Sequence, residues 1–259
     1  IQKTKSPKLN GFDWVLWRIL SGLDINSKDI QKLGVGGLLK EIYSRPQPRD
    51  GDWIISKNKK YISAIILAAG TSSRMGEKNK LLQKIDEEVM IRTVTKEALK
   101  SKADDVIIIT GHDQKNIIKS LENLPIKFVN NSNYINGIGN SISSGVYSLS
   151  IKTDGVIILL GDMPRIKYQH IDILIDSFIP TDNKAICALE SDGKQGNPIL
   201  FGKFFFDQLK ALSNDYGGKD IIQNNLDYLI INSIDDNSIF FDIDTPIEID
   251  NLIRNKSKD

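Results

Sequence analysis

Beyond residue 60, short apolar runs rich in isoleucine and valine alternate with stretches in which apolar residues recur at helical spacing. The apolar runs predict strands, because a strand that is buried on both faces is hydrophobic along its whole length. The predicted strands cover residues 61–67, 105–110, 126–130, 155–160, 184–189 and 197–201, with weaker signals at 228–231 and 239–243. The predicted helices cover residues 88–101, 114–121, 139–149, 168–178, 203–212, 218–225 and 246–254.

This alternation of strands and helices predicts a mostly parallel, twisted sheet with helices on both faces, which is a three-layer α/β/α architecture. In sheets of this kind, ligands bind beyond the carboxyl ends of the strands. We therefore expect the chemistry to lie in the residues that follow 61–67 and 155–160.

The pattern before residue 60 is different. Apolar spacing predicts one amphipathic helix over residues 11–21 and a second over 27–43, and the prolines of "SRPQPRDGDW" then favour an extended linker. We expect residues 1–60 to form a helical extension with a linker and residues 61–255 to form the main domain. Since the chain opens on Ile1, we expect it to be part of a longer protein or a processed product.

Composition narrows the classes of function. The formal net charge of +1 disfavours a surface that coats nucleic acid. No apolar run approaches the length of a membrane span, and no secretory leader pattern is present at the start. Cys187 is the single cysteine, which excludes an internal disulfide and favours a reducing, cytoplasmic compartment.

The stretch "LAAGTSSRMGEKNKLL", residues 67–82, directly follows the first predicted strand. Its small residues let the backbone approach a ligand, and consecutive amide groups can form an anion-binding nest. Arg74 and Lys80 add a guanidinium fork and a mobile point charge, both suited to phosphate oxygens. The nucleotide-binding candidates of this loop are Leu67, Ala68, Ala69, Gly70, Thr71, Ser72 and Ser73.

The spacing of this loop is not that of the common phosphate-binding motifs. Five residues separate Gly70 from Gly76, whereas a P-loop has four, and the Gly-x-Gly-x-x-Gly fingerprint is absent. An ordinary strand-to-helix turn with surface cations is the structural alternative, but the full string favours phosphate binding.

Three aspartates are candidate metal ligands. Asp162 follows the predicted strand 155–160, where a carboxylate can bind Mg²⁺ together with phosphate oxygens. Asp242 and Asp244 would lie on the same side of an extended strand, and the choice between them leans to Asp244. The structural alternatives are that Asp162 caps a helix and that Thr245 and Glu248 form a capping box.

Small and polar residues elsewhere extend the candidate site. Asn131, Gly139 and Ser141 allow close approach and can hydrogen-bond a base or ribose, although a flexible polar loop is the alternative. The candidates for binding an acceptor substrate are Gly196 and Asn197, at the start of a strand, and Lys219, after a glycine pair.

Other reactive residue types favour structural interpretations. His112 and His170 lack metal-ligand spacing and are expected at the surface or in local structural roles. Cys187 lies within an apolar strand and is expected in the core. No Ser-His-Asp or Cys-His arrangement is recognisable, which disfavours covalent hydrolysis.

Taken together, these motifs resemble the MobA-like nucleotidyltransferases over roughly residues 62–255. "LAAGTSSRMGEKNKLL" resembles the family signature, "GDMP" its metal motif, and "NPILF" and "DIDTP" its later landmarks. Within the family, "LAAG" and the ending "NKLL" are most similar to the cytidylyltransferases of the molybdenum cofactor. "NDYGGKDII" departs from the usual Gly-Asp-x-Gly-Ala-Arg pattern, with Lys219 where an arginine is expected, although a cation is retained.

The resemblance implies a Rossmann-like nucleotidyltransferase fold and a defined reaction. CMP passes from CTP to the terminal phosphate of a molybdopterin cofactor, and pyrophosphate leaves. Arg74, Lys80 and Asp162 would be catalytic, with Asp162 as a ligand of Mg²⁺ and Asp244 as the candidate second ligand. A molybdoenzyme or its maturation chaperone is an implied partner, and nucleic acid and membranes are not.

"LGVGGLLKEIYSRPQPRDG" resembles the segment that joins a molybdopterin-binding domain to the transferase in fused proteins. This similarity implies that the chain is the carboxyl part of a bifunctional protein.

Two other functions remain open from the sequence. One is a cytidylyltransferase or uridylyltransferase that acts on a sugar or polyol phosphate. The other is a non-catalytic module that binds nucleotide or cofactor and delivers it to a molybdoenzyme.

Overall fold

The computed structural model shows a seven-stranded sheet and describes residues 60–71, 79–85, 87–178, 183–213, 217–245 and 248. All of these residues belong to the unit Lys57–Asp259. The predicted extension over residues 1–60 lies, apart from Lys60, outside the described residues, so the domain boundary stays a prediction.

Nine strands are present in the described residues, and seven of them form the central sheet in the order β5-β4-β1-β6-β8-β7-β9. Only β8 runs antiparallel to its neighbours, β6 and β7, while the other four pairings are parallel. The strands are β1 (Ile62–Ala68), β2 (Lys84–Ile85), β3 (Glu88–Val89), β4 (Asp105–Thr110), β5 (Lys127–Asn130), β6 (Gly155–Leu160), β7 (Ile186–Ser191), β8 (Lys194–Gly202) and β9 (Leu229–Ser233).

Helices cover both faces of this sheet. They are α1 (Met90–Lys100), α2 (Gln114–Ser120), α3 (Ile138–Tyr147), α4 (Tyr168–Ser177), α5 (Phe206–Lys210) and α6 (Lys219–Gln223). Short 3₁₀ turns add Lys80–Leu82, Tyr134–Asn136, Lys203–Phe205, Leu226–Tyr228 and Asn237–Phe240. No helix of the described residues is both long and apolar enough to cross a membrane.

Strand β1 lies at the centre of two hydrophobic cores. All seven of its residues are buried, because it pairs with β4 on one side and β6 on the other while helices cover both faces. Ala64 and Ile66 face the core formed with α1, α2 and α4, whereas Ile65 and Leu67 face the core formed with α3, α5 and α6. This alternation confirms the predicted three-layer α/β/α fold.

Most element positions agree with the sequence prediction, but the strand predicted over 239–243 is wrong. Residues 237–240 form a 3₁₀ turn, and residues 241–244 have no regular secondary structure. The Asp236 carboxylate accepts a hydrogen bond from the Ser238 amide at 2.8 Å, which caps this turn and competes with an extended backbone.

Two further differences concern the lengths of elements. Strand β8 begins at Lys194 rather than at 197, because a tight hairpin joins it to β7. Asp192 and Gly193, at the turn, both have positive φ angles (51° and 72°), as the two-residue hairpin turn that suits twisted strands requires. The predicted helix over 203–212 is a 3₁₀ turn followed by the short helix α5.

The contact between α3 and the sheet generates a stability prediction at Gly145. A Cβ atom there would lie 2.8 Å from Ile65 Cδ1 and 3.1 Å from Ile109 Cδ1. Helix propensity alone favours alanine over glycine by about 1 kcal/mol, but overpacking a core costs about 1–3 kcal/mol. We expect Gly145→Ala to lower the free energy of unfolding, as measured by urea denaturation.

Ser144→Ala is the matched control, since Ser144 bonds only the Asn140 carbonyl of its own helix among the contacts described. We expect its free energy of unfolding to stay equal to that of the wild type or to rise slightly. A more stable Gly145→Ala variant would show that helix propensity outweighs packing here.

Candidate active site

The carboxyl ends of β1, β4 and β6 meet at one edge of the sheet. The register pairs Ala68 with Thr110 and Leu67 with Leu160, so the loops that follow these strands start side by side. Two backbone hydrogen bonds join the loops: His112 N donates to Ala69 O at 3.3 Å, and Gly161 N donates to Leu67 O at 3.0 Å. The start of the first loop, residues 69–71, therefore lies between the starts of the other two.

A lysine bridges two carboxylates at this edge. Lys80 opens the 3₁₀ turn that follows the first loop, and Asn79 caps the turn by accepting a hydrogen bond from Leu81 N at 3.0 Å. Lys80 Nζ lies 2.6 Å from Asp162 Oδ2 and 2.8 Å from Asp244 Oδ1. These three side chains, here called the Lys80 bridge, come from positions up to 164 residues apart.

The backbone around Asp162 explains how its carboxylate reaches the lysine. A Cβ atom on Gly161 would lie 2.8 Å from Leu67 O and 3.0 Å from Ile91 Cδ1, so only glycine allows the chain to pass this close to β1. Asp162 O in turn accepts a hydrogen bond from Ile243 N at 3.1 Å, which joins the two aspartate-bearing loops directly.

The capping box at Thr245 and Glu248 is present and orients Asp244. Glu248 Oε2 accepts hydrogen bonds at 2.8 Å from the backbone amides of Asp244 and Thr245, and Thr245 Oγ1 accepts one from Glu248 N at 3.4 Å. The two amide donors lower the pKa of the Glu248 carboxyl. The structural and the functional interpretations of "DTPIE" thus hold together, because the box fixes the backbone that carries Asp244.

Asp242 differs from its predicted geometry. It does not share a strand face with Asp244, since residues 241–244 are not a strand, and its side chain is exposed. The Lys80 bridge contains Asp244, so the preference for Asp244 over Asp242 has geometric support. A metal-binding role for either residue stays a prediction.

The pKa of the Lys80 ammonium is raised above its ordinary value of 10.5. Burial, the largest single influence, favours the neutral amine and lowers this pKa, but the charges and hydrogen bonds of Asp162 and Asp244 together outweigh it. Lys80 is therefore a permanent cation at neutral pH.

The carboxylates also fit a divalent cation. Asp162 Oδ1 is buried, and no hydrogen-bond donor of the described residues reaches it. A buried carboxylate oxygen without a donor is a suitable ligand for a hard cation such as Mg²⁺, which takes one or two protein carboxylates with phosphate oxygens and water. The described residues contain no cluster of three or more metal-ligating side chains.

The binding roles of the other predicted nucleotide contacts stay predictions. Leu67, Ala68, Ala69, Gly70 and Thr71 lie at the edge of the site, and Ser72, Ser73 and Arg74 lie outside the described residues. Asn131 and Ser141 are buried and bond one another, Nδ2 to Oγ at 3.1 Å. Gly139 is buried in the first turn of α3.

The bond between Asn131 and Ser141 serves the scaffold, because it ties the start of α3 to the end of β5. A direct contact of either side chain with nucleotide stays a prediction.

The acceptor-binding candidates are brought together in a pocket of about 440 Å³ between α3, β8 and α6. Gly196, Asn197 and Lys219 all line it, although they come from two distant segments. Most of its wall is apolar, formed by Ile138, Ile142, Ile158, Leu160, Ile199, Phe201, Ile222 and Leu226. Gln195 and Gln223 add amide groups at the lining.

The sequence analysis missed the loop after β4. A Cβ atom on Gly111 would lie 2.7 Å from Tyr134 Cβ and 2.9 Å from Ala69 Cβ, so this glycine lets the loop pack beside the phosphate-binding candidates. The neighbouring His112 is exposed and packs edge-on against Tyr134, with ring centroids 6.1 Å apart. The sequence signal that could have revealed this loop was Gly111, a glycine directly after a predicted buried strand.

Comparison with known proteins identifies the family. The sequence profile of the MobA-like NTP transferase domain matches residues 64–228. The chain is also 30% identical to the purine catabolism protein PucB of Bacillus subtilis over 203 residues, which cover 75% of this chain and 97% of PucB. The chain belongs to the MobA-like NTP transferase family.

More distant relatives share part of this MobA-like domain. The bifunctional protein GlmU of Francisella tularensis is 29% identical over 160 residues, which cover 61% of this chain. The match covers 33% of GlmU, so the chain spans about a third of the length of that relative.

Solved structures with low identity share the fold. Rv0371c from Mycobacterium tuberculosis superposes with a TM-score of 0.67 at 20% identity, covering 75% of this chain and 98% of that one. A nucleotidyl transferase from Methanothermobacter thermautotroptrophicus superposes with a TM-score of 0.65 at 18% identity, covering 75% and 99%. The predicted MobA-like identity and Rossmann-like fold are confirmed, while the narrower molybdenum cofactor assignment stays a prediction.

The Lys80 bridge generates a prediction about alkaline stability. Lys80→Met leaves two carboxylates without their shared cation, and we expect it to lower the free energy of unfolding at pH 8 by roughly 1–3 kcal/mol. This is below the cost at a fully buried pair, because the Asp244 side chain is 35% exposed.

The pH dependence of this difference follows from the raised pKa of Lys80. A raised pKa in the folded state means that the stabilisation is fully present below pH 10.5 and disappears as the pH rises through the folded-state value. The gap between wild type and variant should therefore be constant from pH 7 to 10 and narrow above it, as measured by urea denaturation across this range. A difference in free energy of unfolding that stays constant above pH 10 would contradict a charged Lys80 bridge.

Proposed function

We propose that this MobA-like nucleotidyltransferase transfers CMP from CTP to the terminal phosphate of a molybdopterin-type cofactor and releases pyrophosphate. The Lys80 bridge is the observation that carries the proposal, because it combines one fixed cation with two carboxylates directly beside a loop suited to phosphates. The proposal includes a cytoplasmic location and delivery of the product to a molybdoenzyme or its maturation chaperone.

In the proposed reaction, no bond forms between substrate and protein. An oxygen of the acceptor phosphate forms a bond to the α-phosphorus of CTP, and the bond from that phosphorus to the β-phosphate oxygen breaks. No general base is needed, since a phosphate monoester is already ionised near neutral pH, with a second pKa of about 6. Catalysis then depends on aligning two anions and neutralising the charge that develops.

The residues of the site divide this task. The amides of residues 69–71, with Arg74 of the same loop, would hold the triphosphate, and Lys80 would neutralise charge on it. Asp162 and Asp244 would hold Mg²⁺, which supplies charge neutralisation between the reacting phosphates. Gly111 keeps the neighbouring loop thin enough for the nucleotide to lie against Ala69.

The pocket beside β8 supports an acceptor with a ring system. Eight apolar side chains line it, which offers a planar, weakly polar body more contact than a hydroxyl-rich sugar. The amides of Gln195, Asn197 and Gln223 can read polar ring edges, and Lys219 can meet an acceptor phosphate.

A cytidylyltransferase for a sugar or polyol phosphate is the second candidate. Two proteins with the same fold are named for such chemistry: 4-diphosphocytidyl-2C-methyl-D-erythritol synthase from Anaerococcus prevotii (TM-score 0.62, 16% identity) and a CMP-2-keto-3-deoxy-manno-octonic acid synthetase complexed with CTP (TM-score 0.63, 13% identity). They support CTP as the nucleotide and leave the acceptor to experiment. A non-catalytic delivery module is disfavoured, because it would not need the Lys80 bridge.

The first test measures pyrophosphate release with Mg²⁺ and molybdopterin cofactor, comparing CTP with GTP, ATP and UTP. We expect pyrophosphate release with CTP. In Asp162→Asn the rate of release should fall about 10²–10³-fold, because the variant keeps the shape of the side chain but loses its charge.

Asp176→Asn, which removes an exposed carboxylate paired with Lys102, is the matched control and should release pyrophosphate at the wild-type rate. Release that requires a sugar phosphate would favour the second candidate. CTP binding without release on any acceptor would favour the delivery module.

The second test addresses the acceptor pocket. Lys219→Ala should raise the KM for the acceptor about tenfold, which corresponds to about 1.4 kcal/mol of lost binding, while the KM for CTP stays unchanged. Lys210→Ala removes a surface cation that pairs with Asp207 and serves as the control. An equal rise in the KM for CTP would place Lys219 on the nucleotide instead.

A further inference from the structure

The segment that carries Asp244 into the site has no regular secondary structure to hold it. Residues 241–244 follow a 3₁₀ turn and form no ladder with the sheet. Asp244 nevertheless reaches Lys80 Nζ at 2.8 Å, so other contacts must fix the segment. One of them is the hydrogen bond from Ile243 N to Asp162 O at 3.1 Å, above the fully buried Ile243 side chain.

A second contact joins the same two loops. Arg165 lies three residues after Asp162, and its guanidinium carbon is 3.9 Å from the ring centroid of Phe241. The Asp162 loop therefore contacts the Asp244 segment twice, once through the backbone at Ile243 and once through the stack of Arg165 on Phe241. Arg165 itself is exposed, and its stacking partner packs partly against the core.

We propose that Arg165 is a positioning residue: its stack on Phe241 holds Asp244 beside Asp162 and thereby sets the affinity of the carboxylate pair for a divalent cation. The inference rests on the proposed function in one respect, which is that Asp162 and Asp244 bind the metal. Groups that orient metal ligands typically change metal affinity by 10- to 100-fold when they are removed.

The sign of the effect separates positioning from simple electrostatics. Arg165 is a cation, and by charge alone its removal should make the neighbouring carboxylates bind a divalent cation more tightly. If Arg165 acts through Phe241, its removal should instead weaken binding. If Arg165 instead contacted the substrate directly, its removal would not weaken metal binding in the absence of substrate.

The experiment measures Mn²⁺ binding to the nucleotide-free protein by electron paramagnetic resonance. We expect Arg165→Ala and Phe241→Leu each to raise the Kd about tenfold. The double variant should be no weaker than either single variant, because both remove the same contact. Phe241→Tyr, which keeps the ring, should bind as the wild type does, and Arg165→Lys should lie between wild type and Arg165→Ala.

A second readout follows the loop itself. Hydrogen exchange at the Ile243 amide, measured by NMR without metal, should be faster in Arg165→Ala and Phe241→Leu than in the wild type, since the bond to Asp162 O opens more often. Lys167→Ala removes an exposed cation two residues along the chain from Arg165 and is the matched control. This control should leave the exchange rate of the Ile243 amide unchanged and should not weaken Mn²⁺ binding.

Tighter or unchanged Mn²⁺ binding in Arg165→Ala, or additive losses in the double variant, would overturn the inference. So would wild-type Mn²⁺ affinity in Asp162→Asn, which would show that the carboxylates are not the metal site. Absence of pyrophosphate release by the wild type would instead contradict the proposed function, and the binding and exchange measurements do not depend on it.

Discussion

The site depends on one ionic contact among side chains that the chain order keeps far apart. Lys80 Nζ contacts the carboxylates of Asp162 and Asp244. The three residues come from three separate segments of the chain at one edge of the sheet. Two carboxylates that share a partly buried position repel one another and lose hydration, and a cation between them offsets both costs. Lys80 thus stabilises a site with two carboxylates in the absence of substrate. The parallel sheet brings the segments together, because its strands end side by side. A polyanion that enters this edge therefore meets an ordered cation.

The sequence was a good guide wherever local chemistry decides the structure. Strand β6 was predicted to the residue, since a continuous apolar run flanked by polar residues has few alternatives. The sequence was a poor guide over 239–243, where alternating side chains resemble a strand but the Asp236 side chain caps a turn instead. The polarity of Asn131 and Ser141 suggested a ligand contact, which stays a prediction. Their hydrogen bond to one another depends on where β5 ends relative to α3, which no local pattern encodes.

The capping box at Thr245 and Glu248 shows that structural and functional interpretations of a motif need not compete. Glu248 accepts hydrogen bonds from two successive amides, and Thr245 accepts one from the Glu248 amide, as in a capping box. One of the two amides belongs to Asp244, so the capping contact also fixes the backbone behind a candidate site carboxylate. In "DTPIE", the capping contacts are observed, and the Lys80 contact places Asp244 at the candidate site.

Strand β6 connects the two halves of the proposed reaction. Ile158 and Leu160 point to the same face, and both line the apolar pocket. Asp162 follows two residues later, beyond the strand end, and contacts Lys80. Strand β8 runs antiparallel to β6, so Gly196 and Asn197, in the first half of β8, lie near this same edge. The reversed strand thus brings Gly196 and Asn197, two of the acceptor-binding candidates, to the end of the sheet where we propose that the phosphates react.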